Sequence, residues 1–457
     1  MKQKLERREI FENLPVPKAL KIMAVPTIIS QIIVLVYNLA DTFYVGRTNN
    51  PYMVAGASLI LPVFNITLSL ASLTGIGGGS LMARLLGEKQ ENEAKRVCSF
   101  SIYISLLVAA FFSIGMAVLM KPLLSLLGAG ENTYQFAMQY ALMVIVIGGI
   151  PTVLSNVLSN LLRSIGISKE AGFGITMGGL VNIVLDPLFM FVLLPEGNEI
   201  LGAGIATCLS NCIACIYFLY VIHKIKRQDP QSVISFSLRA GLPAKQSISA
   251  VFNVGIPSAL ATLLFDLDYV VIDKLMAAYG DIPLAAIGIV LKAERLPLNV
   301  GVGLCQGMLP LVAYNYASGN HKRKNDTIHF SRKVGLITSA VSIALYEIAA
   351  VYIMRLFIAD VETVALGTDF LRIRCLATPL MFMSFFTVYL FQAFGEGNKA
   401  LFLGIMRWGV FNIPMLFLLD TAFGMYGIVW SQITADILTV ALSLYVYHRY
   451  KNPKKTK

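Results

Sequence analysis

Charge is what this sequence has little of. Asp, Glu, Lys and Arg together make up 14% of its 457 residues, against about 25% in an ordinary water-soluble chain. Apolar residues reach 56% and the mean hydropathy is +0.70, so the chain lacks the polar surface that a globule in water needs. Histidine is nearly absent: there are 4, all at helix ends or in loops, which takes the commonest catalytic base and metal ligand out of the apolar interior. The 6 cysteines form no redox or metal framework. Cys208, Cys212 and Cys215 share one helix face, yet no histidine accompanies them there, and cysteine packs well as a small hydrophobe. The Gly-rich stretches GIGGG (75–79) and GVGLCQG (301–307) are not followed by the Lys-Ser/Thr of a phosphate-binding loop and read as sites of close helix packing or bending.

What the sequence does have is long apolar runs. Twelve are found, near 18–42, 52–82, 96–120, 134–160, 169–194, 201–223, 246–276, 283–313, 328–352, 366–392, 400–419 and 424–448. Each is long enough to cross a bilayer as a helix, which takes about 20 residues. None shows the strand-length alternation of a membrane barrel, so an all-α integral membrane protein with 12 transmembrane helices is expected. Of the 37 Lys and Arg, 29 fall on the side that holds the N-terminus and every second loop. That bias places both termini in the cytoplasm of a cell (plasma) membrane and explains the net charge of +11 without nucleic acid. The charged first residues show no cleavable signal peptide, and a monomer is expected.

The chain repeats itself. Pro26, Tyr37 and Asp41 of the first span match Pro257, Tyr269 and Asp273 of the seventh; LLRSIGISKEA (161–171) matches LFQAFGEGNKA (390–400); Gly87 matches Gly319. Two six-helix bundles of like connectivity follow, 1–223 and 246–457, joined by a basic linker at 224–245. An even number of spans per repeat relates the bundles by an axis along the membrane normal, an architecture that places a cavity between them.

An ionisable side chain inside a bilayer is costly and marks a functional site by default. In the first span Gln31, Tyr37, Asn38 and Asp41 share one face; in the fifth, Asn182 and Asp186 lie one turn apart, just ahead of Pro187 and a turn beyond Gly178 and Gly179, where a neighbouring helix can come close. Thr207 of the sixth span adds a hydroxyl. If the helices adjoin, Asp41 and Asp186 cannot both stay ionised cheaply, and together they would take a proton or a Na⁺ ion. The alternative is that they only bond irregular backbone. In the second half Asp266 and Asp268 face opposite ways on the seventh span; the plainest role for Asp268 is an ion pair with Lys292 or Arg295 of the eighth, next to Glu294, with substrate contact as the alternative. Asp436 of the last span is a further cavity candidate. The second half has Asn412 in the place of Asn182 and Leu416 in the place of Asp186, so its copy of the carboxylate pair is incomplete.

Taken together, Pro26 to Asp41 with TFYVGR, ARLLGEK (83–89), LLRSIGISKEA and NIVLDP (182–187) resemble the multidrug and toxic compound extrusion (MATE) family, and within it the DinF-like branch. The resemblance spans essentially the whole chain. It implies an antiporter that expels amphipathic, often cationic drugs by alternating access, with H⁺ or Na⁺ as coupling ion and no other cofactor. It also implies a cation or proton site built from Tyr37, Asp41, Asn182, Asp186 and Thr207, with Asn156 or Asn160 nearby. The NorM-like branch would use acidic residues of the seventh and tenth spans, and the tenth has none. A flippase for a lipid-linked oligosaccharide would need several inward cations, for which only Lys292 and Arg295 are at hand. An intramembrane enzyme would need a nucleophile with a base or a metal cluster, and a non-transporting scaffold would move no solute.

Overall fold

Each apolar run must satisfy its own backbone hydrogen bonds in lipid, and each does so as a helix. The computed structural model describes residues 7–237 and 241–451, except for the side chains of 265 and 266. In chain order the spans are α1 (Val16–Gly46), α2 (Pro51–Gly87), α3 (Glu91–Val118), α4 (Glu131–Ile147 with Gly149–Ser164), α5 (Ser168–Leu193), α6 (Glu199–Gln228), α7 (Lys245–Ala277), α8 (Asp281–Ala317), α9 (His321–Phe357), α10 (Val361–Cys375 with Thr378–Phe394), α11 (Gly397–Phe423) and α12 (Met425–Lys451). Phe111, Ile348 and Leu356 are 82%, 77% and 83% exposed, an apolar outer surface suited to lipid.

Ten spans are single helices, whereas α4 and α10 bend by 46° and 45°. The bends share a cause. Proline has no N–H to give to the carbonyl four residues back. For Pro151 that carbonyl belongs to Ile147, and for Pro379 to Cys375, the last residues before the two breaks. The freed Cys375 carbonyl accepts the Thr378 hydroxyl at 2.7 Å instead. The tight turns that follow these spans pass through left-handed glycines at matching places, Gly166 (φ +92°) and Gly395 (φ +80°), where a side chain would be strained. Within α5 the ladder also changes after Pro187, continuing as a π-helical turn over Phe189–Leu193. Another π-helical stretch, Met406–Asn412, lies inside α11.

The buried apolar residues fall into three clusters whose arrangement defines the shape. At the end that holds the termini, one cluster draws on both halves, from Leu20 and Leu86 to Leu311 and Phe391. At the opposite end the halves keep separate cores, one around Ile60 and Ala137, the other around Ile287 and Phe370. The two bundles are therefore joined at the terminus end and packed apart at the other. Glycine makes the joint possible: a Cβ on Gly255 of α7 would lie 1.8 Å from the Leu73 carbonyl oxygen of α2, and one on Gly307 of α8 would lie 2.5 Å from the Cα of Ala24. The two Gly-rich stretches are thus seams between halves, since Gly77 faces Val251 and Gly303 faces Ile28.

A strap crosses the same end. Residues Glu9–Asn13 form a π-helical turn whose Phe11 is fully buried against the Tyr314 ring, 4.9 Å between centroids. Its carbonyl accepts Arg323 Nε at 2.6 Å, while Arg7 pairs with Glu91 at 2.6 Å, so the strap ties α3 of the first half to α8 and α9 of the second.

Candidate functional site

The first-half site is assembled by close helix approach. Gly179 of α5 would place a Cβ 3.1 Å from Tyr37 Cδ1 and 2.8 Å from Ile33 Cγ2, so only glycine lets α1 lie this near. Gly178, beside it, faces Ala214 of α6. The packing sets Asp41 and Asp186 beside each other. Asn182 Nδ2 donates to Asp186 Oδ1 at 3.1 Å and to Thr207 Oγ1 at 3.4 Å. Asp186 and Asn182 are 0% and 1% exposed. Tyr37 lies beside both carboxyl groups. Three buried oxygens here have no donor: Asp41 Oδ1, Asp186 Oδ2 and Asn182 Oδ1. Among the described residues, no Lys or Arg forms an ion pair with either carboxylate. A pocket of lone pairs without donors can be completed by a proton or a small cation.

Other expected members lie elsewhere. Asn156 and Asn160 give their amides to carbonyls of their own helix, at 2.9 and 3.0 Å, and Asn160 Oδ1 accepts Arg163. Gln31 crosses to the second half and donates to Gln306 at 3.0 Å. Asn38 is exposed. One member was not foreseen: Tyr140 of α4, whose hydroxyl donates to Asp41 Oδ2 at 3.3 Å. An aromatic on an amphipathic helix carries no sequence mark that separates such a donor from a packing residue.

The second half resolves its charges differently. Glu294 does not stand beside a paired Asp268 and Lys292; it receives a bidentate pair from Arg374, at 2.7 and 2.9 Å, and the Tyr269 hydroxyl at 3.2 Å. Asp436 receives Arg407 at 2.9 Å and Gln432 at 2.6 Å. Asp268 takes the Asn412 amide at 2.5 Å in place of the expected Lys292 or Arg295. Arg295 lies 4.9 Å over the Tyr269 ring, and Lys292 is exposed. The Asp266 side chain lies outside the described residues. Arg374 and Arg407, the partners of Glu294 and Asp436, are 1% and 3% exposed, and Arg163, just past the run 134–160, is likewise buried at 5%. The first two lie inside apolar runs, 366–392 and 400–419, Arg374 just before the α10 bend and Arg407 within the α11 π-helical stretch.

The MatE family model matches the chain twice, over residues 26–188 and 257–418. The multidrug export protein MepA of Staphylococcus aureus (strain MRSA252) is 31% identical over 450 residues, covering 97% of this chain and 96% of its own. MepA of Staphylococcus haemolyticus (strain JCSC1435) is 29% identical over 442 residues, covering 97% and 95%. Among solved structures, an outward-facing multidrug resistance MATE transporter of the MOP superfamily superposes with a TM-score of 0.91 at 23% identity, covering 100% of this chain and 99% of that one. A MOP superfamily transporter from Pyrococcus furiosus gives 0.87 at 23% identity, covering 98% of each. At that identity the superpositions speak for the shared fold.

Proposed function

The chain belongs to the MatE family, and from that premise we propose that it is a multi-pass exporter of small amphipathic, often cationic compounds, driven by exchange for H⁺, with Na⁺ as the rival coupling ion. The observation that carries this reading is the cluster of half-buried Asp41 with buried Asp186 and Asn182, short of donors and, among the described residues, without a cation of the protein's own. Two carboxyl groups in contact share one proton or one metal cation far more readily than they bear two negative charges. The bundles 1–223 and 246–457 are the moving units, and both termini face the cytoplasm. The sealed terminus end then closes the cytoplasmic side, and the cleft between the separate cores opens outward.

In the cycle, the ion enters from outside and occupies the pair, and the neutralised site lets α1 repack against α5. A cationic substrate held between the bundles loses its attraction to the site and leaves. Linkage makes this reciprocal: the ion must weaken substrate binding by the factor that substrate weakens the ion's. The relatives named for multidrug export agree with this substrate class.

The test is the full chain in liposomes, following a fluorescent cationic dye under an imposed pH gradient and, separately, an imposed Na⁺ gradient, for the parent and Asp41→Asn. Dye movement driven by ΔpH and lost in the variant supports the proton reading. Movement driven only by Na⁺ changes the ion and keeps the site. Movement under neither gradient turns attention to a lipid-linked substrate, with Lys292 and Arg295 as the residues to test.

A further inference from the structure

Among the described residues, Arg163 is the one buried first-half cation to which neither the proposed cycle nor an acid gives a role. It sits near the terminus-end of α4, 5% exposed. Its partners are neutral: Asn160 Oδ1 at 2.9 Å, Gln306 Oε1 at 3.4 Å and Ser159 Oγ at 3.3 Å. Its Nε is buried with no acceptor. Among the described residues, no ion pair includes it. Guanidinium cannot shed its proton to escape burial, so the charge must be balanced by something else. The pseudo-symmetric position in the second half is Gln392, a neutral residue, so the repeat does not require a charge here.

Beside the guanidinium lies a cavity of about 20 Å³, lined by Gly75 and Asn160 of the first half and by Gln306 and Tyr389 of the second. That is room for one water or one monatomic ion. Ser80 and Ser164, also in the lining, give their protons to the Gln392 and Leu161 carbonyls, so the protons on offer to the cavity come from Arg163 and Tyr389. Gln306 Oε1 already accepts from Gln31 as well as from Arg163, and Gln306 Nε2 donates to the Tyr389 oxygen at 3.4 Å, which leaves the Tyr389 proton free to point elsewhere. Gly75 keeps the wall open, since a Cβ there would lie 3.1 Å from Asn160 Nδ2.

We propose that this cavity binds a small monovalent inorganic anion, chloride by size, held by Arg163 Nε and the Tyr389 hydroxyl. Because α2 and α4 supply one side and α8 and α10 the other, the complete site exists only while the halves are joined at the terminus end. The anion therefore favours that state and stabilises it by its differential affinity for it.

The experiment uses the purified full chain in detergent and reads the thermal midpoint by tryptophan fluorescence. Sodium chloride is titrated against sodium gluconate at fixed ionic strength. The parent should gain stability saturably with chloride, and with bromide equally. Arg163→Gln should lose that increment while keeping the midpoint it has in gluconate. If Arg163→Gln does not fold, Tyr389→Phe replaces it and should weaken the chloride midpoint at least about fivefold, about 1 kcal/mol. No saturable difference between chloride and gluconate in the parent, or the same increment in Arg163→Gln, overturns the proposal. Stabilisation by inorganic phosphate in place of chloride also overturns it, in favour of a phosphate-bearing ligand.

Discussion

The two halves both place acids inside a six-helix frame and answer their charge in opposite ways. In the first half Asp41 and Asp186 lie side by side, and among the described residues they receive hydrogen bonds from a phenol and an amide. In the second, Glu294 and Asp436 each meet an arginine, and three carboxylates share the interior with two guanidinium groups. A buried charge needs a counter-charge; when the protein supplies it the cluster is structural, and when it does not the cluster must borrow one. The difference shows that a duplicated fold can keep its helices while only one copy holds a site open to a solution ion.

That comparison can be broken or sharpened by substitution. The largest effect is expected for Asp186→Asn or Asp41→Asn: dye binding should lose its dependence on the coupling ion, removing a factor that for coupled sites is about 5–150-fold. Equilibrium dye binding at two pH values, and at two Na⁺ concentrations, measures it. Next is Arg374→Ala, which strands Glu294 in the second half and should cost about 3–5 kcal/mol. Thermal unfolding in detergent should show a clear fall, with Arg374→Gln plus Glu294→Gln recovering much of it. The sharpest contrast is in the same assay: Asp186→Asn removes a charge that has no partner to strand and should change stability by about 1 kcal/mol or less. If Asp186→Asn destabilises as much as Arg374→Ala, the first-half cluster is structural. The smallest effect is expected for Tyr140→Phe, which deletes one hydrogen bond to Asp41 worth about 0.5–1.5 kcal/mol. It should shift the ion midpoint of dye binding without abolishing it.

Much of this arrangement was legible in the residues. The twelve runs gave the spans, and spacing put Asn182 and Asp186 one turn apart on α5; that Asp41 and Thr207 join them is what the resemblance implied, and Gly179 is what lets α1 and α5 close. Local pattern failed where a residue's partner lies on a distant helix. Arg374 and Arg407 lie inside the apolar runs 366–392 and 400–419, and nothing local shows that Glu294 and Asp436, on other helices, take them as partners. Asn156 and Asn160 came from resemblance alone, and their amides are spent on their own helix. The bends of α4 and α10 were written in Pro151 and Pro379, legible only when each proline is matched to the carbonyl it leaves unbonded.

The most direct test sets the halves against each other in one assay: dye transport in liposomes under the same imposed gradient for Asp41→Asn and Asp268→Asn. Asp268 is the fair rival, since it has an amide partner and a buried oxygen without a donor. The account predicts that Asp41→Asn loses gradient-driven transport, while Asp268→Asn stays within about threefold of the parent, less than the coupling typical of linked sites. Loss in Asp268→Asn with transport retained in Asp41→Asn would contradict it and move the ion site to the second half.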